Sequence, residues 1–263
     1  MTLLSLTRLG LVALVLLTLR PAHAEDGLPL IRRMEAAMQS PGEVVRVQMH
    51  LAFADGRTET RNFRMWTKGG GADGAKMRLK FESPASIAGT SLLMVARKGG
   101  GTDNWMYVPA LRQTRRIAPQ DRSDSFVQSE FTIEDLTVQV DEERRVYTAL
   151  GQVACGDGRT CTQVEDKPKD EAAAKLSGYG RVVLYLDTEH HVVHRVDFYD
   201  KTDALLKVLQ ATGLTQAGTS WRFDQASISN VQTGNTTVMR VYERAVDPKL
   251  DDSVFSPSGL GTL

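Results

Sequence analysis

Phe81-Glu82-Ser83-Pro84, Ile87-Ala88-Gly89-Thr90 and the apolar run Leu92-Leu93-Met94-Val95 open the stretch that decides the fold. After a Gly-rich break come Asn104-Trp105-Met106-Tyr107-Val108-Pro109-Ala110-Leu111, the basic residues Arg112, Arg115 and Arg116, and an acidic segment from Ser125 to Leu136. Leu92, Met94 and Ala96 would occupy one face of a strand, Leu93 and Val95 the other. In the next strand Trp105 and Tyr107 face one way, Met106 and Val108 the other. A strand that is apolar on both faces must be covered on both.

Outward from this stretch the period of two persists. Val45, Val47, Met49, Leu51 and Phe53 alternate with Arg46, Gln48, His50 and Ala52. Ala54-Asp55-Gly56 turns the chain, and Thr58 to Lys68 returns. Met77, Leu79 and Phe81 alternate with Lys76, Arg78, Lys80 and Glu82, which predicts a strand with one wet face. Beyond the acidic segment, Val146 to Ala154 and Cys161 to Val164 predict a hairpin. Arg181 to Asp187, His191 to Tyr199 and Ala204 to Ala211 predict a meander. Trp221 to Asn230 and Thr236 to Glu243 predict a last hairpin. Helical spacing occurs in Glu25 to Ser40, where Leu28, Ile31, Met34, Ala37 and Met38 recur, and in the Ala-rich Lys167 to Leu176. Hairpin-linked strands with few helices predict a mainly β fold with one antiparallel, strongly curled sheet. No linker divides residues 25–263, so a single domain is expected.

The first 24 residues have the form of a signal peptide: Arg8 ends a basic region, Leu9 to Leu19 is apolar, and Ala22-His23-Ala24 offers small residues for cleavage after Ala24. The alternative is an uncleaved N-terminal anchor, although the apolar run is short for spanning a bilayer. An exported chain with no further long apolar run is expected in the periplasm. Acidic and basic residues balance at 32 each, which argues against nucleic acid as a partner, since that demands a basic surface. In an oxidising compartment the two cysteines, Cys155 and Cys161, are expected to form a disulfide stapling a hairpin end. A redox pair or a metal site is the alternative there.

Catalytic signals are weak. Gly69, Gly71 and Gly74 fit G-x-G-x-x-G, but a strand pattern follows where the dinucleotide motif requires a helix. His190, His191 and His194 suggest a metal cluster, yet on a strand His190 and His194 would lie about 13 Å apart, too far for one zinc ion. No Gly-x-Ser-x-Gly elbow occurs. We therefore expect no metal, no cofactor and no enzymatic activity. The Arg112, Arg115, Arg116 and Arg122 cluster is either a charged turn pairing with nearby acids or a rim that meets an anionic headgroup or acidic partner.

The ordered motifs Pro84-x-x-Ile87-x-Gly89-Thr90-x-Leu92-Leu93, Trp105-x-Tyr107-x-Pro109-Ala110-Leu111, Arg115-Arg116-Ile117, Ser125-Phe126 through Phe131-Thr132-x-Glu134-Asp135-Leu136, and Tyr185-Leu186-Asp187 through Phe198-Tyr199-Asp200-Lys201 resemble the family of outer-membrane lipoprotein-sorting proteins. That family is related in fold to the periplasmic lipoprotein carrier LolA. One departure is Val127-Gln128-Ser129-Glu130, where the family pattern would place Gly before the Ser and Asp after it. The resemblance implies an open β half-barrel of about eleven antiparallel strands, with helices over its concave side. It implies a monomeric carrier of a lipid, acyl chain or lipidated cargo. A partner exporter of the resistance-nodulation-division type is implied because members of this branch often accompany one. The alternative is a non-enzymatic accessory protein of such an exporter, with a filled cavity.

Physical chemistry supports a carrier. Burying an acyl chain gains roughly 0.8 kcal/mol per methylene, or about 10 kcal/mol for a chain of about 14 carbons. Met77, Leu79, Phe81, Leu92, Met94, Trp105 and Tyr107 are the candidate lining, and methionine suits a lining that adapts to several shapes. Arg112, Arg115, Arg116 and Arg122 are the candidate rim.

Overall fold

The computed structural model describes residues 25–69, 74–97, 100–136, 140–156, 158–246 and 248–262. The expected signal peptide lies outside the described residues, as does most of the Gly69 to Gly74 loop.

One antiparallel sheet of 14 strands holds the molecule together. Its strands are β1 (Glu25–Asp26), β2 (Ser40–Ala52), β3 (Thr58–Gly69), β4 (Ala75–Ser83), β5 (Ser91–Ala96), β6 (Thr102–Val108), β7 (Gln113–Ile117), β8 (Arg145–Ala154), β9 (Thr160–Pro168), β10 (Arg181–Asp187), β11 (Val192–Tyr199), β12 (Leu205–Ala217), β13 (Ser220–Asn230) and β14 (Thr236–Val246). They lie in the order β1-β8-β9-β10-β11-β12-β13-β14-β2-β3-β4-β5-β6-β7, and β1 and β7 are its two free edges. The sheet is therefore the open, curled half-barrel expected of a LolA-like chain. It has more strands than the expected eleven. The two-residue β1 is too short to carry a pattern, and the exposed, charged β7 has no buried face to make its residues alternate.

Cross-strand register shows how the sequence builds two faces. Antiparallel partners share a face. Val164, Leu184, Val196, Leu209, Ile228, Thr237 and Leu51 pair in succession across seven strands. Val45, Met65, Leu79, Leu92 and Met106 continue the same face toward β6. This inner face carries the helices α1 (Leu28–Ala37) and α2 (Glu171–Leu176). Pro29 sits in the first turn of α1, where its missing N–H costs nothing. Asp170 caps α2 by accepting from the Ala173 N–H at 2.8 Å. Helix α1 is shorter than its periodicity predicts: Glu25 and Asp26 pair with β8 instead, and Ser40 already belongs to β2.

The described parts of the connection between β7 and β8, residues 118–136 and 140–144, lie over the sheet's inner face. Phe126 and Ile133 pack on Val45, Val47, Met49, Leu51, Phe63, Leu79, Phe81, Leu92 and Met94. Val140 joins α1 residues Ile31 and Met34 against Tyr147, Val164 and Leu186. The crossing segment thus covers the inner face of the half-barrel.

The outer face is covered only locally. Trp66, Arg78, Leu93, Trp105 and Arg116 pair in one row across β3 to β7. The C-terminal segment lays Leu250, Val254, Phe255 and Leu260 over this row. The expected wet face of β4 is therefore dry at Arg78, which is fully buried. Its guanidinium donates to the carbonyls of Val254 at 3.2 Å and Leu260 at 3.1 Å and stacks 5.5 Å from the Trp66 ring. Both faces of β5 are covered, as its two-sided composition requires: the crossing segment takes one and the C-terminal segment the other.

Candidate binding cavity

Under the far half of the crossing segment, the inner face is not filled. A cavity of about 270 Å³ lies between β10–β12, α1, α2 and the crossing-segment residues Arg122, Glu134, Asp135, Asp141 and Arg144. One wall is apolar: Ile31 and Met34 come from α1, Leu184 from β10, Val196 from β11 and Leu209 from β12. The opposite wall carries charges from the crossing segment and its flanks, including Arg122, Glu134, Asp141, Arg144 and Arg145. Strand alternation places the apolar wall, since Leu184, Val196 and Leu209 are mutual cross-strand partners on the inner face.

Buried polar contacts hold the roof. Lys207 Nζ lies 2.6 Å from Asp135 Oδ2 and donates to the Glu130 carbonyl at 2.8 Å. The Tyr179 hydroxyl donates to Asp135 Oδ1 at 2.6 Å, and burial beside that carboxylate raises the phenol well above its ordinary pKa. The Glu130 carboxylate accepts from Asn230 at 2.8 Å and Asn235 at 3.0 Å. At the floor, Arg145 Nε donates to Asp166 Oδ1 at 2.6 Å. Burial raises the Asp166 pKa, opposed by the attraction of Arg145.

The candidate lining divides. Met77, Leu79, Phe81, Leu92 and Met94 lie together on the inner face, but under Phe126 and Ile133 in the filled half, away from the cavity. Trp105 and Tyr107 do not share that face. They lie on the outer face with Leu93, beneath the C-terminal segment. Leu92 pairs with Met106 rather than Trp105, and that one-residue register decides the matter.

The candidate rim divides too. Arg112, Arg115 and Arg116 are exposed on the β6–β7 hairpin, where Arg116 Nη2 lies 2.5 Å from Asp103. Arg122 alone turns inward to the cavity, and burial lowers its pKa. Periodicity alone puts Ile31, Met34, Leu184, Val196 and Leu209 in elements but not at a site. Their signal is that the apolar face of α1 needs an apolar sheet face to cover it.

Elsewhere, Cys155 and Cys161 form the expected disulfide. The histidines are closer than strand spacing implies. The 187–191 turn folds His190 back, so that His190 Nδ1 lies 2.7 Å and His194 Nε2 3.4 Å from the same Asp187 Oδ2. Donor atoms of Asp187, Glu189 and His190 lie within 4.8 Å of one another. Arg159 Nη1 also approaches Asp187 Oδ2 at 3.8 Å.

A family model described as an uncharacterized protein matches residues 73–262. The chain belongs to this DUF1329-like family. It is similar to a domain named as an outer membrane lipoprotein-sorting protein from Vibrio parahaemolyticus, with 28% identity and a TM-score of 0.80 over 89% of this chain and 98% of that one. It is equally similar to a DUF1329 family protein from Desulfovibrio piger, with 28% identity and a TM-score of 0.79 over 89% and 97%. A LolA superfamily protein from Nitrosomonas europaea shares the fold at 16% identity, with a TM-score of 0.67 over 89% and 98%. No curated protein matches the sequence. The chain therefore has the LolA-like fold.

Proposed function

We propose that this protein is a periplasmic, non-enzymatic carrier that holds an acyl chain in the cavity between β10–β12 and α1. The observation that carries the reading is a partly open cavity with an apolar wall, beside the half of the inner face that Phe126 and Ile133 fill. Its volume of about 270 Å³ is at the small end of ligand pockets, which run from about 300 to 1,000 Å³. That suits one chain rather than several. Export by the N-terminal signal, with cleavage after Ala24, delivers a monomer to a compartment where the disulfide can form. Loading or unloading takes place at a membrane or at an exporter of the resistance-nodulation-division type.

A second reading has its own support. Phe126 and Ile133 fill the half of the concavity under β2–β6, as expected of an accessory protein whose cavity is vestigial and whose exposed Arg112, Arg115 and Arg116 meet the exporter. One experiment separates the two. Protein purified from the periplasm is extracted with solvent and the extract analysed by mass spectrometry, and the stripped protein is titrated with a fluorescent acyl probe. Co-purified lipid or saturable uptake supports the carrier. Neither, combined with exporter capture that is lost on reversing Arg115 and Arg116 to Glu, supports the accessory.

A further inference from the structure

The separation that argues against a metal among the histidines belongs to an extended strand, and the chain is not extended there. β10 ends at Asp187, residues 188–191 turn, and β11 begins at Val192. The turn brings two imidazoles to one carboxylate oxygen: His190 Nδ1 lies 2.7 Å and His194 Nε2 3.4 Å from Asp187 Oδ2. Glu189 adds a second carboxylate, and ligand atoms of Asp187, Glu189 and His190 lie within 4.8 Å of one another. With bonds of about 2.0–2.2 Å, neighbouring ligands of a tetrahedral zinc ion stand about 3.4 Å apart. The spacing of His194 from Asp187 matches that geometry, and the other donors need only small adjustments.

These donors are held from outside. Asp187 Oδ1 accepts from the N–H groups of Glu189 at 2.9 Å and His190 at 3.1 Å, which leaves Oδ2 to face the rings. The His190 ring packs edge-on 4.6 Å from Trp221, and the His194 ring 4.9 Å from Phe223. Support of this kind fixes ligand orientation before an ion arrives. Arg159 is the competing cation. Its Nη1 stands 3.8 Å from Asp187 Oδ2, beyond hydrogen-bond distance, and has no hydrogen-bond partner among the described residues. Its side chain is 33% exposed, which gives it room to turn outward.

We propose that Asp187, Glu189, His190 and His194 form a site for one borderline divalent transition-metal ion, zinc in the first instance. The ion takes the place of the proton between His190 Nδ1 and Asp187 Oδ2, so binding releases a proton. Imidazole with carboxylate suits zinc, whereas calcium and magnesium take oxygen ligands. Asp187 follows Leu186, which packs on the inner face, so the site lies on the outer face and is independent of the carrier reading.

Untagged mature protein, stripped with a chelator and dialysed, is titrated calorimetrically with Zn²⁺, Ca²⁺ and Mg²⁺. One saturable zinc site per chain is expected, with calcium and magnesium at least about tenfold weaker. His190→Ala and the exposed Glu189→Gln are each expected to weaken zinc binding at least about tenfold, and circular dichroism of the metal-free variants shows that the fold survives. His191→Asn, a change that the left-handed backbone at this position tolerates, is expected to leave zinc binding unchanged. Arg159→Gln is expected to bind zinc at least as tightly as the parent. Absence of a saturable zinc site overturns the proposal. So does calcium or magnesium binding as tight as zinc, or zinc binding that is unchanged in His190→Ala or Glu189→Gln or weakened in His191→Asn or Arg159→Gln.

Discussion

Lys207 Nζ lies 2.6 Å from Asp135 Oδ2, and the two side chains are 4% and 0% exposed. The pair joins β12 to the segment that crosses the half-barrel, at the place where the filled half of the inner face gives way to the open half. Removing one partner strands a buried charge, which costs about 3–5 kcal/mol. Asp135→Asn and Lys207→Met should each lower the thermal midpoint sharply, and the double replacement Asp135→Leu with Lys207→Met should recover much of the loss. Thermal unfolding followed by circular dichroism measures all three. A double variant as weak as the sum of the singles would mean that the pair is not the coupling point.

The C-terminal segment is a cover for apolar outer-face residues, held by the buried Arg78. Truncation after Lys249 exposes Trp66 and Trp105, two of the three tryptophans, along with Leu93. The fluorescence emission of the truncated protein is expected to shift to longer wavelength. Arg78→Met should give a smaller shift, because the two carbonyl contacts, each worth about 1.5–3 kcal/mol when made to a charged donor, are lost while apolar packing remains. Unshifted emission in both would contradict the cover.

Much of the fold was legible because most strands bury one face and so alternate. Both faces of β5 could be read as covered, but not by what. The outer cover is a segment distant in sequence with no period of its own, and Arg78 looked wet because a buried arginine capped by carbonyls leaves no mark in a pattern. The site was less legible. A cavity is where side chains fail to meet, and its wall of Leu184, Val196 and Leu209 reads like any core. Aromatic residues drew attention to Trp105 and Tyr107, whose face depends on register rather than composition.

The departure at Val127-Gln128 has a conformational reading. Both residues are left-handed, with φ of +47° and +62°, and Gln128 stands where the family pattern places Gly. An L residue there carries roughly 1–2 kcal/mol of strain, against about 0.5–1 kcal/mol of extra chain entropy lost by Gly. Gln128→Gly should therefore raise the denaturation midpoint slightly without altering the acyl-probe titration. A lower midpoint would show that the glutamine side chain contributes more than its backbone costs.

Acid stability should carry the mark of Asp200. Its carboxylate accepts from the Thr202 hydroxyl at 2.7 Å, Gln232 at 2.9 Å, and the N–H groups of Ala204 at 3.1 Å and Thr202 at 2.8 Å. These hold its pKa down at about 2. A carboxylate with a depressed folded pKa stabilises the fold above its unfolded pKa of about 3.9 and loses that contribution as pH falls through the folded value. Asp200→Asn should flatten the decline of stability between about pH 4 and pH 2. Denaturant melts across that range test it, and a slope as steep as in the parent would rule Asp200 out.

The cavity's role as the acyl site is tested most directly by location. A fatty acid with a photoreactive diazirine near its terminal carbon is bound to the stripped protein and illuminated, and the labelled peptides are identified by mass spectrometry. The account predicts labels on β10–β12 and α1, around Leu184, Val196, Leu209 and Met34. Labels on β4–β6, around Met77, Leu92 or Trp105, or none that excess fatty acid competes away, would contradict it.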